Sequence, residues 1–186
     1  MVISGVILAG GAGRRMAGKD KGLLLWRGKA LIDHTIEQFA PQVSELVINA
    51  NRNHSRYQQR GFSVVQDKLT ERLGPLAGIE ACLQATLSPW LAVTPCDSPL
   101  FPNDLVKRLY QFVQEKQLPV AWVRQKDRDH PLFCVINRAL QAPLQDFLYL
   151  QGRRKVLDFF NAHGMALPFS EELPHFANFN DSTSLK

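Results

Sequence analysis

Val2-Ile3-Ser4-Gly5-Val6-Ile7-Leu8-Ala9-Gly10-Gly11 is a short, β-branched apolar run that ends in paired glycines. It reads as a buried strand feeding a glycine turn. Beyond it, helical and strand patterns alternate. Ala30 to Phe39 carries Leu31, Ile32, Ile36 and Phe39 near helical spacing and stops before Pro41. Leu46 to Ala50 reads as a second strand and Tyr57 to Arg60 as a short helix. Phe62 to Gln66 is a third strand, closed by Asp67. Gly74-Pro75-Leu76-Ala77-Gly78 reads as a turn opening a helix over Ile79 to Leu87. Trp90 to Thr94 is a fourth strand, with Cys96-Asp97 just beyond it. Strand and helix in alternation predict a doubly wound, mostly parallel, Rossmann-like α/β sheet.

The second half breaks the alternation. A helix capped by Asn103 or Asp104 is expected to run to about Lys116. Val120 to Arg124 and Leu132 to Ile136 read as two strands of a small antiparallel element, with Gln125 to His130 as a long polar tip. Helical patterns return at Ala139 to Tyr149 and Arg154 to Ala162. The 186 residues contain no repeat or linker, so one domain, 1–186, is expected.

With 45% hydrophobic and 21% charged residues, the composition is that of a globular chain and excludes disorder. The net charge is +5, but it comes in pairs and triplets, Arg14-Arg15 and Arg153-Arg154-Lys155, not in a stripe. That distribution suits anionic small molecules and not nucleic acid. Three cysteines, Cys82, Cys96 and Cys134, without C-x-x-C spacing suit a reducing compartment. No apolar segment approaches the ~20 residues of a membrane span, and no signal peptide is legible, so a cytoplasmic location without a membrane partner is expected.

The loop Leu8 to Lys21 is where chemistry is expected. Read as a dinucleotide fingerprint from Gly11, it fails at Met16. Read as a P-loop from Gly13, it reaches Gly18-Lys19 but continues with Asp20, where a magnesium-binding hydroxyl belongs. What remains is a strand ending in glycines, which let backbone amides approach a phosphate, joined to Arg14, Arg15 and Lys21.

Leu8-Ala9-Gly10-Gly11 with Arg15-Met16 and Lys21 resembles the signature of nucleotidyltransferases, and Arg14-Arg15-Met16 with Asp20-Lys21-Gly22 resembles the molybdenum cofactor guanylyltransferase family. Further matches are Asn49-Ala50-Asn51-Arg52, Gly74 to Gly78, Pro95 to Pro99, Arg128-Asp129-His130-Pro131, Gly152-Arg153-Arg154 and Asn178-Phe179-Asn180, in the family's order. The resemblance implies transfer of GMP from GTP to the terminal phosphate of molybdenum-molybdopterin. GTP would bind the N-terminal half and the pterin the C-terminal half. It also implies Mg2+ and handover of the product to molybdoenzymes or their chaperones; a monomer is expected.

The implied GTP contacts are Leu8, Ala9, Gly10, Gly11, Lys21, Asn49, Asp67, Gly78 and Asp97. Asp97 is the implied magnesium ligand, and Lys21 with Arg15 the phosphate clamp. On residues alone, Asp97-Ser98-Pro99 is also a good turn, Asp67 a good cap and Asn49 a polar strand end. The implied acceptor contacts are His130, Arg153, Arg154, Asn178 and Asn180. His130 reads equally as a loop histidine and the two arginines as a helix start. Asn180 is followed only by Asp181 to Lys186, so a very short terminal helix, or none, is expected. The loop alone leaves open a cytidylyltransferase for the same pterin, a sugar-phosphate nucleotidyltransferase, or a nucleotide-binding protein that delivers the cofactor. A magnesium carboxylate at Asp97 separates the enzymes from the last.

Overall fold

The computed structural model describes residues 2–10, 20–68, 74–170, 176 and 179. A seven-stranded sheet crosses the chain in the order β5-β4-β1-β6-β8-β7-β9. Its strands are β1 (Ser4–Leu8), β4 (Glu45–Asn49), β5 (Ser63–Val65), β6 (Trp90–Pro95), β7 (Val120–Gln125), β8 (Arg128–Asn137) and β9 (Met165–Phe169). Within this sheet only β8 runs against its neighbours: it is antiparallel to β6 and β7, while β1 is parallel to β4 and β6. The expected mostly parallel sheet is therefore what forms, and the antiparallel element is part of that same sheet.

All five residues of β1 are buried. A central parallel strand is covered on both faces, so it has no polar side to alternate with. Ile3 and Ile7 join a core with Ile32 and Phe39 of α1 (Leu31–Phe39) and Leu105, Leu109 and Val113 of α4 (Leu105–Lys116). Val6 and Leu8 face the opposite core. It contains Leu76, Ile79 and Leu83 of α3 (Pro75–Ala85), Leu144 of α5 (Gln141–Gln145) and Phe159 and Phe160 of α6 (Val156–Asn161). Helix α3 is buried continuously from Leu76 to Leu83.

Several sequence expectations are corrected. The Gly74-to-Gly78 segment is not a turn before the helix: α3 starts at Pro75, with Gly74 at φ 79° before it. Proline fits the first helical turn because its missing N–H has no partner there. The hairpin tip is not Gln125 to His130 but Lys126-Asp127, with Lys126 at φ 53°. Arg128, Asp129 and His130 are strand residues paired with Gln125, Arg124 and Val123. Alternating apolar residues did not reveal this because Asp129 spends its charge internally. It accepts from Trp122 Nε1 at 2.9 Å and Arg124 Nε at 2.8 Å.

The short helix near Tyr57 is α2, His54–Gln58, and begins three residues earlier than expected. The segment Ala139 to Tyr149 is a 3-10 turn, α5 and then a π-turn over Asp146–Leu150. Asp104 stands at the N-cap position of α4, but its side chain makes no cap bond. Arg154 precedes α6 rather than opening it.

Three strands were not expected. β2 (Leu25–Trp26) and β3 (Lys29–Ala30) form a minimal hairpin around Arg27 and Gly28, both at positive φ, as the favoured two-residue turn requires. β9 carries Pro168, which argues against a strand; it survives because β9 is an edge paired on one side only, with β7.

Candidate functional site

Strands β4, β1 and β6 end side by side, with β1 between partners that lie on opposite sides of it. Chain paths diverge there, and open α/β sheets bind ligands in such crevices. The end of β1 stays tied to both neighbours: Ala9 N–H donates to Asn49 O at 2.8 Å, and Cys96 N–H donates to Leu8 O at 3.1 Å. Leu8, Ala9 and Gly10 thus form a backbone ledge between Asn49 and Asp97. A Cβ on Gly10 would sit 3.0 Å from Asn51 Nδ2 and 3.2 Å from Asn49 Oδ1, a tight fit that a side chain would have to push aside.

One side of the ledge is a polar knot. Asn49 Nδ2 donates to Asp67 Oδ1 at 2.9 Å and to Val65 O at 3.2 Å. Asn51 Nδ2 donates to Asp67 Oδ2 at 2.8 Å, and Asp67 N–H donates back to Asn51 Oδ1 at 2.9 Å. The Asn49 carboxamide is therefore oriented, and its Oδ1 lies over Gly78, where any Cβ would collide with it. Asn49 and Asp67, separate in the sequence reading, are hydrogen-bonded to each other. Asn51 was not among the candidate contacts; its place two residues beyond Asn49 in the Asn-Ala-Asn-Arg run was the available signal.

The other side is an ion pair. Lys21 Nζ donates to Asp97 Oδ2 at 3.0 Å, both side chains being partly buried. Lys21 opens a 3-10 turn, Lys21–Leu23. Just before it stands Asp20, buried and doubly bonded: Tyr57 Oη donates to Oδ1 at 2.6 Å and Asn53 Nδ2 to Oδ2 at 2.9 Å. Arg52 Nε lies 3.7 Å from the same carboxylate. Burial pushes the Tyr57 hydroxyl far above its usual range, so it stays a donor. Phe179 N–H donates to Asp97 O at 2.8 Å, and the Phe179 ring packs on Trp26. This bond places Phe179 against the strand end that carries Asp97.

The C-terminal candidates are spread out. His130 is half-buried in β8, its ring 5.5 Å from Phe176. Burial, then the positive charge of Arg128, hold its imidazole below the ordinary value; Asp129 opposes them. Arg153 covers the Phe147 ring at 4.6 Å and reaches Asp158 at 3.3 Å, an exposed pair that is easily released. The Arg154 carbonyl lies 3.9 Å from the Cβ position of Gly74, which sets it beside the start of α3. Gly11, Arg15, Asn178 and Asn180 lie outside the described residues, as do Arg14 and Asp181 to Lys186.

A further charged residue escaped the sequence reading. Glu80, fully buried in α3, accepts from Lys68 Nζ at 2.6 Å, Gln145 Nε2 at 2.7 Å and Tyr149 Oη at 3.0 Å. The Tyr149 hydroxyl is pushed up to about 12 by burial and by Glu80. Glu80 thereby joins the residue after Asp67 to α5 and the π-turn. Within a helical stretch otherwise free of charge, it had no partner nearby in sequence to announce it.

Comparison with known proteins gives the chain its family. The MobA-like NTP transferase domain matches residues 5–166. A molybdenum cofactor guanylyltransferase of Haemophilus influenzae is 39% identical over 100% of this chain and 97% of its own. That of Mannheimia succiniciproducens is 41% identical over 100% and 97%. That of Yersinia pestis is 42% identical over 96% and 90%. Among solved structures, the molybdopterin-guanine dinucleotide biosynthesis protein A of Archaeoglobus fulgidus superposes with a TM-score of 0.78 at 23% identity, covering 98% of this chain and 94% of that one. A CMP-2-keto-3-deoxy-manno-octonic acid synthetase complexed with CTP gives 0.71 at 16%, covering 99% and 94%. The latter two establish the fold.

Proposed function

The chain belongs to the MobA-like NTP transferase family and, within it, to the molybdenum cofactor guanylyltransferases, and from that membership we propose how its residues divide the work. The reaction is a nucleotidyl transfer that forms molybdopterin guanine dinucleotide. An oxygen of the pterin's terminal phosphate attacks the α-phosphorus of GTP, the bond to the β-phosphate bridging oxygen breaks, and pyrophosphate leaves.

The ledge Leu8-Ala9-Gly10, with Gly11, holds the nucleoside, and Asn49, oriented by Asp67, presents its carboxamide oxygen beside Gly78 to the base or ribose. Lys21 neutralises charge on the phosphates, and Arg15 joins it as a clamp. The observation that carries this reading is the Lys21–Asp97 pair at 3.0 Å, which sets a cation and a carboxylate together at the rim beside the ledge. Asp97 fits a magnesium ion: it is a hard oxygen donor, only partly buried, held by a lysine that phosphates can draw away. Among the described residues no group of three or more His, Cys, Asp and Glu gathers to hold a metal. One carboxylate plus phosphate oxygens and water is the ligand set magnesium accepts. Bound there, it would polarise the α-phosphate and offset charge on the leaving pyrophosphate.

His130, Arg153 and Arg154, with Asn178 and Asn180, form the acceptor side in this reading, and residues 1–186 act as one domain. Among the described residues no helix is long and apolar enough to cross a membrane; a cytoplasmic monomer that hands its product to molybdoenzymes or their chaperones completes the proposal. The test is thermal stabilisation by GTP, CTP and ATP with and without magnesium, then pyrophosphate release with GTP and loaded molybdopterin. Magnesium-dependent preference for GTP and release of pyrophosphate are expected. An equal response to all three nucleotides, or no release from folded protein, overturns the reading.

A further inference from the structure

The hydroxyl of Tyr57 touches the residue on each side of Lys21. It donates to Asp20 Oδ1 at 2.6 Å, and it would lie 2.6 Å from any Cβ on Gly22. Cys96 Sγ closes the same space, 3.3 Å from that Cβ position. Tyr57 itself is fully buried in α2, and Asn53, at the start of that helix, takes the second oxygen of Asp20. The backbone on both sides of Lys21 is thus referenced to one buried phenol, and Lys21 Nζ emerges 3.0 Å from Asp97.

We propose that Tyr57 is a positioning residue for Lys21: its hydroxyl, through Asp20 and the close approach of Gly22, directs the lysine toward Asp97 and the nucleotide phosphates. The inference rests on the phosphate role of Lys21 proposed above. The physical argument is one of preorganisation. Lysine is a flexible point charge with a four-carbon stem, so its contribution depends on where its Cα is held. A hydrogen bond to a buried carboxylate is among the stronger ones available for holding it.

Tyr57→Phe removes one oxygen and keeps the buried ring. Its effect is read in a double-mutant cycle with Lys21→Ala, measuring the Kd of GTP with magnesium by calorimetry. In the parent protein Tyr57→Phe is expected to weaken GTP about tenfold, the equivalent of one such bond. In the Lys21→Ala background it is expected to change Kd less than about twofold, because the group it serves is gone. Gly22→Ala, which presses a methyl group against the hydroxyl, is expected to reproduce the Tyr57→Phe pattern. Equal losses in both backgrounds mean a general structural role and overturn the inference alone, as does an unchanged Kd in Tyr57→Phe. Unchanged GTP affinity in Lys21→Ala overturns the phosphate role of Lys21, and this inference with it.

Discussion

Lys21 Nζ and Asp97 Oδ2 stand 3.0 Å apart across 76 residues of sequence, so the segment after the glycine loop and the end of β6 meet at one charged point. Asp97→Asn keeps the shape and removes the charge. Pyrophosphate release is expected to fall on the order of 10²- to 10³-fold. The melting temperature should barely move, because a partly exposed pair contributes about 1 kcal/mol or less. Parent-like turnover in the variant would remove Asp97 from the chemistry.

Gly78 has no room for a side chain because Asn49 Oδ1 occupies the space a Cβ needs. Gly78→Ala is expected to displace the carboxamide, breaking its bond to Asp67, and to raise the KM for GTP about tenfold, the equivalent of ~1.4 kcal/mol. The KM for the pterin should stay as it was. Steady-state kinetics with each substrate varied in turn decide this, and equal changes in both constants would contradict it.

Glu80 has three donors and no exposure. Glu80→Ala leaves Gln145 and Tyr149 without their acceptor and opens a cavity in α3. A loss of about 2–4 kcal/mol is expected in urea denaturation. Glu80→Gln, which keeps an acceptor oxygen, should lose less. A variant as stable as the parent would show that the network contributes nothing net.

His130 titrates below its ordinary value of 6.5 because it is half-buried and near Arg128. The unfolded chain therefore takes up its proton at a higher pH than the folded chain does. Stability from this residue is fully present above about pH 6.5 and is lost as pH falls through the lowered folded value. Melting temperatures across pH 5 to 7 should show this acid-side loss, and His130→Phe should flatten it. An identical slope in the two proteins would show that another group is responsible.

The strand ends were legible because β-branched runs stop at glycine, asparagine or aspartate: Leu8 before Gly10, Ile48 before Asn49, Thr94 before Asp97. Core strands β4 and β6 appear within a residue of where their apolar runs lie, and β1 begins two residues inside its run. The antiparallel partner was legible as a hairpin but not in extent, because Asp129 in β8 is paired with Arg124 and accepts a hydrogen bond from Trp122, neither of which advertises the pairing. β9 was illegible because Pro168 is tolerated only at an edge, and edge position is a property of the whole sheet. In the site, residue types pointed to Asn49, Asp67 and Asp97 singly. That Asn49 and Asp67 bond each other, and that Tyr57 stands behind Lys21, comes from long-range packing that local pattern does not encode.

The two-residue turn at Lys126-Asp127 carries a kinetic meaning as well. β7 and β8 are neighbours both in sequence and in the sheet, and such hairpins close in microseconds. Strand β1 has to wait for β6, since Ser4 pairs with Leu91, and distant pairings bear a larger loop-closure entropy. A nascent chain emerging N-terminus first therefore holds the Leu8-Ala9-Gly10 ledge unfinished until β6 exists. The reversed strand then gives β6 a ready-made template on its far side.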